Sequence, residues 1–330
     1  MLTAFIVLLS VGLVMAALLT VGKKVFEIET NEKLEALTEI MPGANCGGCG
    51  YPGCGGYASA LSEGRAKPDL CPPGGAELAV HIGEILGISV EAGEKKVALV
   101  TCAGGDLASP LRSNYKGVTD CRAANALNGG PKSCTYGCLG MGSCVDVCSF
   151  DAISYTDNGL VVVDAENCTG CGACIEACPR DVIKMVPYKA QVHVLCNNPD
   201  KAKAVKSVCT VGCTGCKICV KQSKAFIVEG ALAAVSYDFS DEIGESPALA
   251  CPQGAIFDGR VYQIDKWIQD KETRADFETR SAAWKAEDKK RKAEARAKAK
   301  AAKDVKDVKD VKITDDAASD KSAVSVGDKS

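Results

Sequence analysis

Thiols gathered at short spacings are the residues of this chain that could do chemistry, and the chemistry is the holding of iron and sulfide. The string CTGCGACIEACP, residues 168–179, carries the complete run C-x2-C-x2-C-x3-C-P. In proteins with two such clusters the fourth cysteine of each run ligates the other cluster. Cys168, Cys171 and Cys174 therefore take Cys148 as their fourth thiolate, and Cys178 is left for the segment CTYGCLGMGSC, residues 134–144. That segment keeps Cys138, Cys144 and Cys148 in frame but has Met141 where a cysteine belongs. A thioether is a poor ligand for iron–sulfur iron. Cys134, one helical turn upstream of Cys138, is the expected substitute, with Cys102 and Cys121 as the alternative suppliers.

Two further groups complete the set. MPGANCGGCGYPGCGGYASAL places Cys46, Cys49 and Cys54 together, and Cys71 follows in LCPPGG. Four cysteines around one cluster close that account, and the C-x2-C…C-x2-C symmetry of a zinc knot is absent. Further along, CTVGCTGCKIC resembles CTYGCLGMGSC at an offset of 75 residues, and VHVLC before Cys196 resembles VALVTC before Cys102. Repetition of this kind organises the whole chain. The second copy holds Cys213, Cys216 and Cys219 at standard spacing, but its fourth position is Ser223. Its sister half, YDFSDEIGESPALACP, has lost every ligand except Cys251. The two losses agree: Ser223 would have served a cluster whose other ligands are gone, and Cys251 remains for the cluster that survives. About four [4Fe–4S] clusters result, with Cys102, Cys121, Cys196 and Cys209 unassigned and read by default as buried thiols.

Composition narrows the field. The chain has 330 residues and 20 cysteines, but only two histidines, His81 and His193, so mixed Cys/His zinc sites are nearly excluded. Both histidines are read as structural residues. The formal charge is −3, and each bound cluster adds about two negative charges. An acidic particle of this kind argues against nucleic acid as a partner. No phosphate-binding loop, dinucleotide fingerprint or nucleophile–base pair stands in the sequence. Electron carriers without a catalytic substrate site are what remains.

The elements that must position these thiols follow in order. Residues 2–22 carry no charge, and 21 helical residues span about 31 Å, the thickness of a hydrocarbon core. Lys23 and Lys24 follow at once, which puts the bulk of the chain in the cytoplasm and predicts a single-pass anchor in the cell membrane. The expected fold class is α+β: an anchor over 1–22, a linker over 23–40 and a small helical cluster module over 41–90. A two-cluster ferredoxin-like domain of βαβ type is expected over 91–188, and a degenerate one-cluster domain over 189–260. Helices are expected at 56–63 and 76–86, and strands at AISY and VIKMV. The stretch 261–330 is charged, with a solvated helix over 264–303 fading into disorder.

The anchor, MPGANCGGCGYPGC and CTYGCLGMGSCVDVCSFDAI together resemble the B-type subunit of the Rnf (Rsx) complex, an ion-translocating ferredoxin:NAD oxidoreductase. The resemblance covers about residues 1–260 and is to the long type, from which the degenerate second sister half departs. It implies a membrane protein that accepts electrons from soluble ferredoxin and passes them to other subunits, where NAD is reduced and ions move. The first module also resembles the cluster domain of corrinoid iron–sulfur proteins, but those need a barrel of about 250 residues, and the chain has no room for one.

Overall fold

The computed structural model describes residues 2–25, 32–90, 93–238, 243, 245–259 and 275–298. The expected disorder after 303 and the repeat KDVKDVKDVK lie outside these residues. The chain forms two compact units that divide after Lys95, with the loop Thr169–Ala173 counted in the first.

The first unit is helical. Helix α1 runs over Leu2–Val25, and α2, α3 and α4 over Glu32–Ile40, Gly53–Ser62 and Gly75–Leu86. Leu37 of α2, Tyr57 and Leu61 of α3 and Ile82 of α4 are fully buried against one another. Burying each of these side chains contributes roughly 2 kcal/mol, enough to hold three short helices that would not persist alone. His81 is exposed on α4. Ile6 and residues 9–21 of α1, whose side chains are described, are all exposed. Among the described residues no helix is long and apolar enough to cross a membrane.

The second unit contains the same motif twice. In the first copy, β1 (Lys96–Val100) leads through α5 (Cys121–Ala126) and α6 (Ser143–Asp146) to the hairpin β2 (Ile153–Tyr155) and β3 (Val161–Val163), then α7 (Ala173–Ala177) and β4 (Ile183–Pro187). In the second, β5 (Val192–Val194) leads through α8 (Ala202–Val208) and α9 (Ile218–Gln222) to β6 (Phe226–Glu229) and β7 (Leu232–Val235), then α10 (Ser246–Ala250) and β8 (Ile256–Asp258). The outer strands pair with each other, β1 with β4 and β5 with β8, and the inner strands form hairpins. All four pairings are antiparallel, and each copy runs in the strand–helix–strand, strand–helix–strand order of a ferredoxin-like domain. Val97, Leu99, Val161 and Ile183 fill the first core, and Phe226, Ala248 and Ile256 the second.

The degenerate sister half therefore keeps its shape with Cys251 as its one cysteine. Four of the five residues of α10, Pro247 to Ala250, are buried. A helix over 275–298 covers this half: Phe277 packs on the second core, and the Ser281 hydroxyl donates to the Leu249 carbonyl at 2.7 Å.

Candidate metal centres

All 20 cysteines are thiols, none of them paired in a disulfide. In the first unit Asn45, held in the left-handed region at φ 47°, accepts from the Cys54 amide on its side-chain oxygen at 2.8 Å. This bond folds the ligand loop back over its own start. The Tyr57 hydroxyl donates to the Lys67 carbonyl at 2.7 Å and returns the chain toward Cys71. Burial, and then the neighbouring sulfurs of Cys49, Cys54 and Cys46, push the Cys71 thiol up. The four thiols that the spacing grouped are thus close in space.

In the second unit each copy of the motif encloses a cavity walled by four thiols. Cys121, Cys138, Cys144 and Cys178 line one, and Cys213, Cys216, Cys219 and Cys251 line the other, each of about 20 Å³. Corresponding glycines admit the backbone turn in both. Gly140 sits at φ 72° where a Cβ would collide with the Gly159 carbonyl, and Gly215 at φ 61° where one would meet the Ala231 carbonyl at 2.5 Å. Amides point at the sulfurs: Ala255 donates to Cys251 Sγ at 3.4 Å.

The structure places Cys134 away from the helical turn that the spacing suggests. Residues 134–142 are not helical, so a four-residue spacing does not stack Cys134 beside Cys138. Cys121 stands at the first cavity instead. Its amide donates to Ser143 Oγ at 2.7 Å, and the same hydroxyl donates to Asp120 Oδ2 at 2.8 Å. Asp120 caps α5 by accepting from the Ala123 amide, so the start of α5 is docked on the ligand-bearing helix α6. Cys134 lines a separate cavity of about 20 Å³ together with Cys102, Cys196 and Cys209, the thiols that the sequence left unassigned in company with Cys121. Of the remaining set, Cys168 and Cys174 are buried in the first core with Cys148 packed against it, and Cys171 is half-buried. The Ala98 amide donates to Cys168 Sγ at 3.4 Å.

These arrangements fit iron–sulfur clusters. A zinc ion needs four thiolates at about 2.3 Å from one point, and among the described residues no three potential ligands gather so closely around a single ion. A [4Fe–4S] cube takes one thiolate on each iron and so needs thiols spread around a cavity. Burial pushes the Cys138 and Cys144 thiols up to about 12 and Cys219 to about 11, with neighbouring sulfurs adding to each. Bound iron is the cation that stabilises such thiolates.

Two buried cations escape any reading of spacing. The Arg180 guanidinium lines the first cavity and donates to the carbonyls of Cys134 at 2.9 Å and Gly137 at 2.7 Å, fixing the CTYG turn. The Lys132 ammonium donates to the Gly159 carbonyl at 2.8 Å and lines the cavity of Cys134. The sequence offers no signal for either. His193 is fully buried on β5, its Nδ1 3.1 Å from the Tyr237 hydroxyl, and it is at none of these sites.

Comparison with known proteins gives two family matches within the chain. Residues 41–73 match a family described as an Fe–S cluster, and residues 135–185 a 4Fe–4S dicluster domain. Among curated proteins, the chain is 42% identical over 252 residues to the B-type subunit of the ion-translocating oxidoreductase complex of Methanosarcina acetivorans, covering 76% of this chain and 95% of that protein. It is 43% identical over 247 residues to the B-type subunit of the Na(+)-translocating ferredoxin:NAD(+) oxidoreductase complex of Acetobacterium woodii, covering 74% of each. It is 40% identical over 256 residues to the corresponding protein of a proton-translocating complex of Clostridium ljungdahlii, covering 76% of this chain and 90% of that protein.

Proposed function

We propose an electron-relay role from one premise: the chain belongs to the family of B-type subunits of ion-translocating oxidoreductase complexes. It is the electron-transfer subunit of such a complex and holds [4Fe–4S] clusters. Bound clusters of this type each take up and give back one electron. The single observation that carries the relay reading is the pair of thiol-walled cavities of nearly equal size, one in each copy of the repeated motif.

Four ligand sets follow. Cys46, Cys49, Cys54 and Cys71 form one, and Cys121, Cys138, Cys144 and Cys178 a second. Cys148, Cys168, Cys171 and Cys174 form a third by the spacing of their motif, and Cys213, Cys216, Cys219 and Cys251 a fourth. The chain's own part is to bring these thiols together, exclude water from them and aim amides at their sulfurs. Electrons come from reduced soluble ferredoxin and leave to membrane partner proteins, which reduce NAD and move ions. Helix α1 is the membrane anchor in this reading. The uncharged run over residues 2–22 and the exposure of Leu13, Val14, Leu18 and Leu19 support a lipid-facing surface.

Anaerobic mixing tests the reading. Reduced ferredoxin added to the purified full chain is expected to bleach its visible absorption, while NAD added afterwards yields no NADH. Failure of reduced ferredoxin to reduce the chain would sink the donor assignment. A reporter fused at the C-terminus is expected to report cytoplasm, and activity on the outer side would overturn the anchor's orientation.

A further inference from the structure

We propose that Cys102, Cys134, Cys196 and Cys209 hold a fifth [4Fe–4S] cluster, so that five sets of four account for all 20 cysteines. The inference rests on the iron–sulfur reading of the other sites but uses none of their residues as ligands.

The cavity these four thiols line, about 20 Å³, matches in size the two in the repeated motifs. Its construction follows the internal repeat. Each copy contributes the cysteine that follows its opening strand, Cys102 after β1 and Cys196 after β5. Each also contributes the first cysteine of its C-T-x-G-C turn, Cys134 in CTYGC and Cys209 in CTVGC. Two equivalent pairs thus face each other across one cavity, which is why these thiols have no place inside either motif.

The lining is built for bound sulfur. Gly104 and Gly137 bring bare backbone against the thiols. A Cβ on Gly104 would stand 3.2 Å from Cys209 Sγ, and one on Gly137 3.3 Å from Cys102 Sγ. The Asn198 amide reaches Cys134 Sγ at 3.6 Å. Lys132, only 2% exposed, brings a positive charge to the same cavity. Its nearest carboxylate, Asp106, lies 3.5 Å away and is half exposed. A buried cation needs nearby negative charge, and a four-thiolate cluster carries about two such charges. Five sites are also connected more tightly than four. The Cys138 amide donates to Cys102 Sγ at 3.4 Å and the Cys213 amide to Cys196 Sγ at 3.2 Å. The new site is therefore one amide hydrogen bond away from a ligand of each neighbouring cavity.

Iron, acid-labile sulfide and zinc counted on the anaerobically purified full chain decide the matter. The wild type is expected to hold about 20 iron atoms by the four-iron rule. The double substitution Cys196→Ser, Cys209→Ser should remove about four iron and four sulfide, and Cys251→Ser should remove a further four additively. A wild type whose iron the double substitution leaves unchanged, or one zinc per chain that disappears with it, overturns the proposal. If Cys251→Ser alone removes no iron, the reading of that neighbouring site fails instead, and the double substitution still decides this one. Should the double variant lose all its iron through misfolding, Lys132→Met decides. It keeps all four thiols, so the iron count should hold while one cluster's midpoint shifts to a more negative potential. No shift in any cluster would refute the site.

Discussion

The two copies of the repeated motif surround cavities of nearly the same volume with the same strands and glycines, yet they reached their ligand sets differently. In the first copy the position of Met141 has lost its thiol, and Cys121 reaches the cavity from a preceding helix docked through Ser143. In the second, Cys216 stands at the equivalent position, 75 residues on, and no outside thiol is used. The sister halves differ in the opposite sense. The first keeps Cys168, Cys171 and Cys174, whereas the second has Pro247 where Cys174 would fall, and α10 fills the space with buried apolar side chains. A thiol's neighbours, then, are set by its place in the wall of a cavity, and the packing of α10 keeps a half in shape that has few cysteines.

The largest expected effect tests the substitution at Met141. Cys121→Ser should cost about four iron atoms by the four-iron rule, and adding Met141→Cys should restore them, making the first copy like the second. Restoration of iron by Met141→Cys in a Cys134→Ser background instead would return Cys134 to this cavity.

Packing in the degenerate half comes next. Leu249 is buried in α10 beneath the helix 275–298, and Leu249→Ala should destabilise the second copy by about 2–5 kcal/mol. Thermal melting followed by far-ultraviolet dichroism should show the loss while the spectra of the first copy's clusters persist. Equal damage to both copies would mean that they do not differ as described.

A smaller effect concerns His193, whose counterpart in the first copy is Leu99. Burial lowers the His193 imidazole from 6.5 to about 4. The folded state then holds the neutral ring, so stability is full above pH 6.5 and falls as pH drops from 6.5 toward 4, by up to about 3 kcal/mol. The denaturation midpoint of the wild type should fall between pH 7 and pH 5 by more than that of His193→Leu. Parallel losses in the two would remove this distinction between the copies. The smallest change is expected from Ser223→Cys, which should add no iron, because the sister half has Pro247 and buried apolar neighbours at the positions matching the first copy's cysteines. A gain of iron there would mean that the lost cluster can still assemble.

Much of this was legible in the chain before any fold was known. The spacings of Cys46 to Cys54 and of Cys168 to Cys174 point to one chemistry, because a few residues of backbone keep such thiolates near a common centre, while the fourth cysteine of the second run, Cys178, serves the neighbouring site. The offset of 75 residues announced two copies of one motif, and the agreement between Ser223 and the missing sister cysteines pointed to Cys251 as the partner of Cys213, Cys216 and Cys219, with which it lines one cavity. Local spacing works where the ligands share a loop, since a few residues of backbone limit how far apart their sulfurs can be. It is silent on Cys102, Cys121, Cys196 and Cys209, and it set Cys134 beside Cys138 on a helical turn that residues 134–142 do not form. Their assignment came from strand pairing, from the Asp120–Ser143 clasp and from the absence of helix at 134–142. Tertiary structure decided these cases because a thiol on a long tether is placed by the packing of the elements at its ends.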